Sequence, residues 1–210
     1  MQSLLFGQSH LNLFSTVESR NQMLDYLSGI ISLAGNLGVK TLVFGSPKNR
    51  LVGKLSYKER MEIAAPFFYQ LGSFAVKNNV TLCIEPNPIH YGCDFITNTE
   101  EALGLIREVN HPGFQLHLDS GALELNDENI YTVIEHSMPY LKHFHISEPY
   151  LNLIGSGQTK HREIAIALRS LGYENWISIE MKNSVSPSNI ESVERALDYT
   201  LETYVQRGAY

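Results

Sequence analysis

Cysteine is scarce in this sequence, because Cys83 and Cys93 are the only two among 210 residues. So few thiols exclude the disulfide framework of a small secreted protein and the cysteine clusters that bind structural zinc. Cys83 also lies inside an apolar run that is typical of a buried strand. We therefore expect the protein to fold in a reducing compartment, the cytoplasm.

Basic charge is also in short supply. Lys and Arg number 16 against 22 Asp and Glu, so the formal net charge is −6. A nucleic-acid-binding domain needs a basic surface that neutralises phosphates, and we predict no nucleic-acid partner. The basic residues between Lys48 and Arg60 are interpreted as a solvated loop and helix surface.

Long apolar stretches are missing as well. No segment approaches the roughly 18 apolar residues that a membrane-spanning helix needs. The first residues, 1–7, lack the basic start and the long apolar stretch of a signal peptide. The sequence therefore predicts no membrane partner.

The chain does contain a regular alternation of short apolar runs and longer amphipathic stretches. Strands that alternate with helices predict a parallel sheet covered by helices. The predicted strands are 3–6, 41–45, 81–85, 115–119, 143–147 and 176–180. The predicted helices are 18–37, 57–78, 98–109, 127–137, 160–171 and 189–206.

Two α/β architectures fit this alternation, a doubly wound sheet and a barrel. The loop over residues 7–12 does not have the G-x-G-x-x-G spacing that a dinucleotide-binding sheet would favour. We predict a (β/α)8 TIM-barrel type, incomplete with six βα units, as a single domain over residues 1–210. Such barrels typically have about 250 residues, so we expect the first two units to be absent, with Met1 just before the third strand. Open sheet edges tend to pair, which would favour a homo-oligomer.

Four potential metal ligands stand at the ends of four predicted strands: Glu85, Asp119, His145 and Glu180. The C-terminal strand ends of a barrel converge on one face, which carries the chemistry. Three carboxylates and one imidazole favour Mn²⁺, Mg²⁺ or Co²⁺ over structural zinc. Each residue alone could also be a helix cap, a salt-bridge partner or a core histidine, and His143 competes with His145 for the ligand position.

Weaker candidates for substrate contact lie on the same predicted face. They share a position in, or just beside, the loops that follow the strands. These candidates are His10, Ser46, Asn87, His117, Glu148 and His161.

Together these motifs resemble one known superfamily. The motifs are Gly-Ser-Pro at 45–47, Glu-Pro-Asn at 85–87, His-Leu-Asp at 117–119, His-x-His-x-Ser-Glu-Pro at 143–149 and Ile-Ser-Ile-Glu-Met at 177–181. They are similar to the xylose isomerase-like barrels, and more narrowly to sugar phosphate isomerases and epimerases such as ketose 3-epimerases and hydroxypyruvate isomerases.

The resemblance implies a function. Glu85, Asp119, His145 and Glu180 would bind one divalent metal, for which we expect Mn²⁺, with Mg²⁺, Co²⁺ or Zn²⁺ as alternatives. Glu85 and Glu180 would also move protons through a metal-bound enediolate of a small sugar or sugar phosphate. Ketose 3-epimerases have a histidine and an arginine where this chain has Ala122 and Leu151, so we expect a different substrate.

Three alternatives share the scaffold. A lyase or dehydratase would use the same metal and differ in the leaving group. An inactive barrel, or one completed by a partner, would fit the short N-terminus. A hydrolase of the abasic-site endonuclease type would need additional metal ligands and a basic DNA-binding face, which the acidic net charge disfavours.

Overall fold

Five of the six predicted strands form in the computed structural model, which describes residues 1–186 and 188–205. The strands are β1 (Thr41–Phe44), β2 (Thr81–Ile84), β3 (Phe114–Asp119), β4 (Leu141–Ile146) and β5 (Trp176–Ile179). Their order in the sheet is the chain order. The pairs β1–β2, β2–β3 and β4–β5 are parallel. This is the strand order of a TIM-type barrel, as predicted.

Seven α-helices precede, separate and follow these strands in the described part of the chain. They are α1 (Val17–Asn36), α2 (Tyr57–Lys77), α3 (Thr99–Val109), α4 (Ser120–Leu125), α5 (Ile130–Ser137), α6 (His161–Ser170) and α7 (Asn189–Thr203). Side-chain caps fix several of their starts; for example, Ser56 and Glu59 form a capping box at α2. The predicted end of the last helix at 206 lies outside the described residues. None of the described helices is both long and apolar enough to cross a membrane.

The prediction of a strand over 3–6 is wrong. Residues 4–7 form turns, and Gly7 has a φ of 76°, in the left-handed region that favours glycine. An apolar run this short does not by itself distinguish a strand from a buried turn. Met1 pairs with the edge of β1 instead: its amino group donates to the Thr41 carbonyl at 2.8 Å, and the Val43 amide donates to the Met1 carbonyl at 2.8 Å. The described part of the chain therefore has five strands where the sequence predicts six.

The chain divides into two compact units, Met1–His117 and Leu118–Tyr210. In the first unit, Phe68 stacks on Phe114 with ring centroids 4.6 Å apart and meets Phe44 edge-on at 5.3 Å. In the second unit, buried Ile146 belongs to a cluster with Ile154 and Ala196. Each unit thus has an apolar core of its own, and the single domain expected over 1–210 stays a prediction.

Candidate metal centre

Three of the four predicted ligands come together in the second unit. Asp119 ends β3, His145 lies near the end of β4, and Glu180 directly follows β5. The Nδ1 atom of His145 is 3.1 Å from Oε2 of Glu180 and 3.9 Å from Oδ2 of Asp119. The potential ligand atoms of all three residues lie within 4.8 Å of one another. Parallel strands thus bring residues that are far apart in sequence to one point.

Hydrogen bonds fix the orientation of the Asp119 carboxylate. Its Oδ1 accepts from the Ala122 amide at 2.8 Å and from the Ser147 hydroxyl at 2.7 Å. The first bond makes Asp119 the N-cap of α4. Its other oxygen, Oδ2, is the atom that faces His145. Asp119 therefore caps a helix and presents an oxygen to the cluster at the same time.

The structure places His145, rather than His143, beside the carboxylates. The two rings are 5.0 Å apart and nearly perpendicular. Nε2 of His143 lies 3.2 Å from the Ser178 hydroxyl, whereas the His145 side chain is only 3% exposed and contacts Asp119 and Glu180. Strand alternation puts both histidines on one face, so the sequence left this choice open.

The donor set of the second unit fits a divalent cation. Two carboxylate oxygens and one imidazole nitrogen are ligands that Mn²⁺, Mg²⁺, Co²⁺ and Zn²⁺ all accept, in differing degrees. The ligand atoms are already grouped, and Ser147 holds Asp119 by a hydrogen bond at 2.7 Å. Such supporting bonds around a ligand are typical of real metal sites. The three residues therefore could hold a metal.

Glu85 belongs to the first unit and directly follows β2. Its amide donates to the Phe44 carbonyl of β1 at 3.1 Å. Its Oε1 lies 3.4 Å from Nε2 of His117, whose side chain is 0% exposed. The predicted substrate residue His117 therefore lies in the core beside the Glu85 carboxylate.

Gly45 leaves room for that carboxylate, since a Cβ at position 45 would collide with Oε2 of Glu85. We expect Gly45→Ala to displace the carboxylate and to weaken Mn²⁺ binding about tenfold, the lower end of the cost of disturbing a ligand's support. The displaced group is the end of a flexible side chain, so the unfolding temperature should change little. Calorimetric titration with Mn²⁺ and thermal unfolding measure both effects.

Gly104→Ala is the control for this prediction, because a Cβ at position 104 meets no described atom within 4 Å. It should bind Mn²⁺ like the wild type. An unchanged affinity in Gly45→Ala would contradict the prediction that Glu85 is a metal ligand.

The other predicted substrate residues of the first unit lie in different environments. His10 is exposed, and Ser46 is half-buried in the left-handed region with a φ of 46°. Asn87 is 8% exposed, and its Oδ1 accepts a hydrogen bond from Arg50 at 2.8 Å. Their contact with a substrate stays a prediction.

Glu148 and His161 form a buried network in the second unit. Both side chains are 1% exposed, and Oε1 of Glu148 lies 3.2 Å from Nε2 of His161. Glu148 also accepts from Thr159 at 2.6 Å and from the Gly155 amide at 3.0 Å. Burial raises the pKa of the Glu148 carboxyl, but hydrogen bonds from His161 and Thr159 outweigh it, so the net pKa is lowered. The network anchors the loop before α6, and a substrate role for either residue stays a prediction.

The sequence interpretation missed Arg50. The sequence predicts that Arg50 belongs to a solvated basic segment, but its side chain is 0% exposed. Basic residues that are neighbours in sequence need not share a surface, because the 3₁₀ turn Pro47–Arg50 carries Arg50 inward while Lys48 stays exposed. The sequence contains one indication of this burial. Arg50 lies in the loop that follows β1, directly before the apolar pair Leu51-Val52.

Comparison with known proteins gives a family match over most of the chain. Residues 4–203 match the family described as Xylose isomerase-like TIM barrel. Among curated relatives, a D-psicose 3-epimerase from Agrobacterium fabrum is 25% identical over 111 residues, which are 52% of this chain and 38% of that protein. The chain thus matches well under half the length of that relative.

Two solved structures share the fold at low identity. The D-psicose 3-epimerase from Clostridium cellulolyticum H10, crystallised with D-tagatose, has a TM-score of 0.80 at 16% identity, covering 93% of this chain and 75% of that chain. The IolI protein with a bound zinc atom has a TM-score of 0.74 at 18% identity, covering 93% of this chain and 74% of that chain. These matches confirm the predicted fold class.

Proposed function

The chain belongs to the xylose isomerase-like TIM barrel family, and we propose that it is a divalent-metal-dependent isomerase or epimerase of a small sugar or sugar phosphate. The observation that carries the proposal is the cluster in which His145 meets Glu180 at 3.1 Å and Asp119 at 3.9 Å. A relative of low identity is a sugar epimerase, which supports the same class of reaction.

In this proposal Glu85 is the fourth ligand, beside Asp119, His145 and Glu180. Glu85 follows β2, which pairs in parallel with β3, and Asp119 ends β3. We propose Mn²⁺ as the ion, with Mg²⁺, Co²⁺ or Zn²⁺ as alternatives. When bound, such an ion would polarise the substrate carbonyl and neutralise the charge that develops on its oxygen.

The exposures of the four side chains support a division of roles. Asp119 and His145 are 7% and 3% exposed, which supports a role in holding the metal rather than in proton transfer. Glu85 and Glu180 are 12% and 23% exposed, so their carboxylates are accessible to a small substrate. One glutamate would remove the proton from the carbon beside the carbonyl, and the other would return a proton. Return to the opposite face gives an epimer, and return to the neighbouring carbon gives an isomer.

Proton exchange with solvent tests this function. The protein, loaded with Mn²⁺, is incubated in D₂O with a panel of ketoses and ketose phosphates, and deuterium at the carbon beside the carbonyl is followed by NMR. We expect exchange with at least one sugar. Glu180→Gln should slow it about 100-fold or more, because a positioned acid or base contributes roughly that much. The control Glu174→Gln changes an exposed residue and should have no effect.

Two other results would favour a different function. Loss of water from the sugar would support the dehydratase alternative. Metal binding without exchange into any sugar of the panel would contradict the isomerase and favour the inactive barrel.

A further inference from the structure

Arg50 is the largest fully buried side chain among the described residues, with 0% exposure. It ends the 3₁₀ turn Pro47–Arg50, in the loop after β1. A guanidinium cannot lose its charge at ordinary pH, and burying a charge is costly unless hydrogen bonds compensate it. The contacts of Arg50 therefore indicate what its burial achieves.

Both hydrogen bonds of Arg50 go to one turn of the first unit. Its Nη2 donates to the main-chain carbonyl of Glu85 at 2.7 Å and to Oδ1 of Asn87 at 2.8 Å. Its Nε and Nη1 have no hydrogen-bond partner within the described residues. The cation is thus held, in the described part of the chain, by two neutral acceptors that are two residues apart.

These bonds complete a set of restraints on Glu85. Its amide is fixed to β1 through the Phe44 carbonyl at 3.1 Å, and its carbonyl is fixed to Arg50. The Asn87 amide donates to the Ile96 carbonyl at 3.0 Å, which holds the other end of the turn. The backbone on both sides of the Glu85 side chain is therefore immobilised from two directions.

We propose that Arg50 is a positioning residue that fixes the Glu85–Asn87 turn and so directs the Glu85 carboxylate toward the metal. The consequence for the metal rests on the proposed function, whereas the rigidity of the turn does not. The proposed role of Arg50 requires no contact with the substrate or the metal. It acts through the main chain of Glu85 and the side chain of Asn87.

The neighbouring Asn49 provides a matched control. It is 8% exposed, and its Nδ2 donates to the carbonyls of Gln8 and Leu11 at 2.8 and 2.7 Å. Asn49→Ala therefore removes one buried and one partly buried hydrogen bond from the same 3₁₀ turn without touching Glu85 or Asn87. A general loosening of this loop would affect Asn49→Ala and Arg50→Met alike.

The experiment compares Arg50→Met, Arg50→Lys and Asn49→Ala with the wild type. The first readout is the Mn²⁺ dissociation constant from calorimetry, and the second is hydrogen exchange at the amides of Glu85 and Asn87. We expect Arg50→Met to weaken Mn²⁺ binding about tenfold or more and to speed exchange at both amides. Arg50→Lys keeps the charge on a different, shorter donor group, so a loss of roughly threefold is expected. Asn49→Ala should match the wild type in both readouts.

The outcomes separate this proposal from the proposed function. Wild-type Mn²⁺ affinity and exchange in Arg50→Met would overturn the positioning role, as would equal weakening by Asn49→Ala. If the wild type itself binds no Mn²⁺, the proposed function fails, and exchange at Glu85 and Asn87 alone decides whether Arg50 fixes the turn. If Arg50→Met does not fold, Arg50→Lys decides: a weaker metal site with faster exchange supports the role, and wild-type values overturn it.

Discussion

Replacing Asp119 with asparagine is expected to weaken Mn²⁺ binding about 100-fold or more, since loss of a ligand should cost at least as much as loss of its support. Asparagine caps helices about as well as aspartate, so the bonds from Ala122 and Ser147 to the side-chain oxygen can persist. The atom that faces His145 becomes an uncharged amide nitrogen, which cannot bind a cation. The Asp119→Asn variant should therefore fold normally but bind Mn²⁺ weakly.

Calorimetric titration measures the affinity, and circular dichroism confirms that the variant is folded. Asp198→Asn removes the same charge from an exposed position on α7 and should leave Mn²⁺ binding unchanged. Wild-type affinity in Asp119→Asn would contradict the assignment of Asp119 as a ligand.

Gly121→Ala should destabilise the protein by about 3 kcal/mol, at the upper end of the usual cost of overpacking. Gly121 is buried in α4. A Cβ at this position would lie 2.7 Å from the carbonyl carbon of Glu148 and 2.7 Å from the hydroxyl oxygen of Ser147. The first neighbour is backbone and cannot yield cheaply, and the second is the group that holds Asp119. Gly121→Ala should therefore lower both the free energy of unfolding and the affinity for Mn²⁺.

Gly29→Ala should instead stabilise the protein. Gly29 is exposed within α1, and a Cβ there meets no described atom within 4 Å. Alanine in a helix interior is favoured over glycine by about 0.5–1 kcal/mol. Urea denaturation measures the free energy of unfolding of Gly121→Ala and of Gly29→Ala against the wild type. A Gly121→Ala protein as stable as the wild type would contradict the close approach of α4 to the segment after β4.

The strand ends were the most predictable part of this structure. Short apolar runs that end in one polar residue predicted β3 and β5 to within one residue, and with them the positions of Asp119 and Glu180. β3 is largely buried, whereas the residues of β5 alternate between exposed and half-buried. Parallel strands align their carboxyl ends, so the sequence alone indicated that these side chains would meet. The prediction of Glu85 as the fourth ligand rests on the same reasoning and stays a proposal.

Other features depended on contacts that the local sequence does not contain. Helix α4 has six residues, too few to give a clear helical period, and only Asp119 as a cap signalled it. The burial of Arg50 is decided by acceptors 35 and 37 residues away. The apolar pair at residues 4 and 5 is buried, but in a turn rather than in the strand predicted over 3–6.

The metal content of the purified protein is the direct test of a metal centre in this chain. The protein is incubated with excess Mn²⁺, freed of unbound ion and measured by elemental analysis, beside Asp119→Asn prepared in the same way. We expect about one Mn²⁺ per wild-type chain, bound at the cluster of Asp119, His145 and Glu180, and little in the variant. No retained metal in the wild type, or equal metal in both proteins, would contradict a metal centre at Asp119, His145 and Glu180.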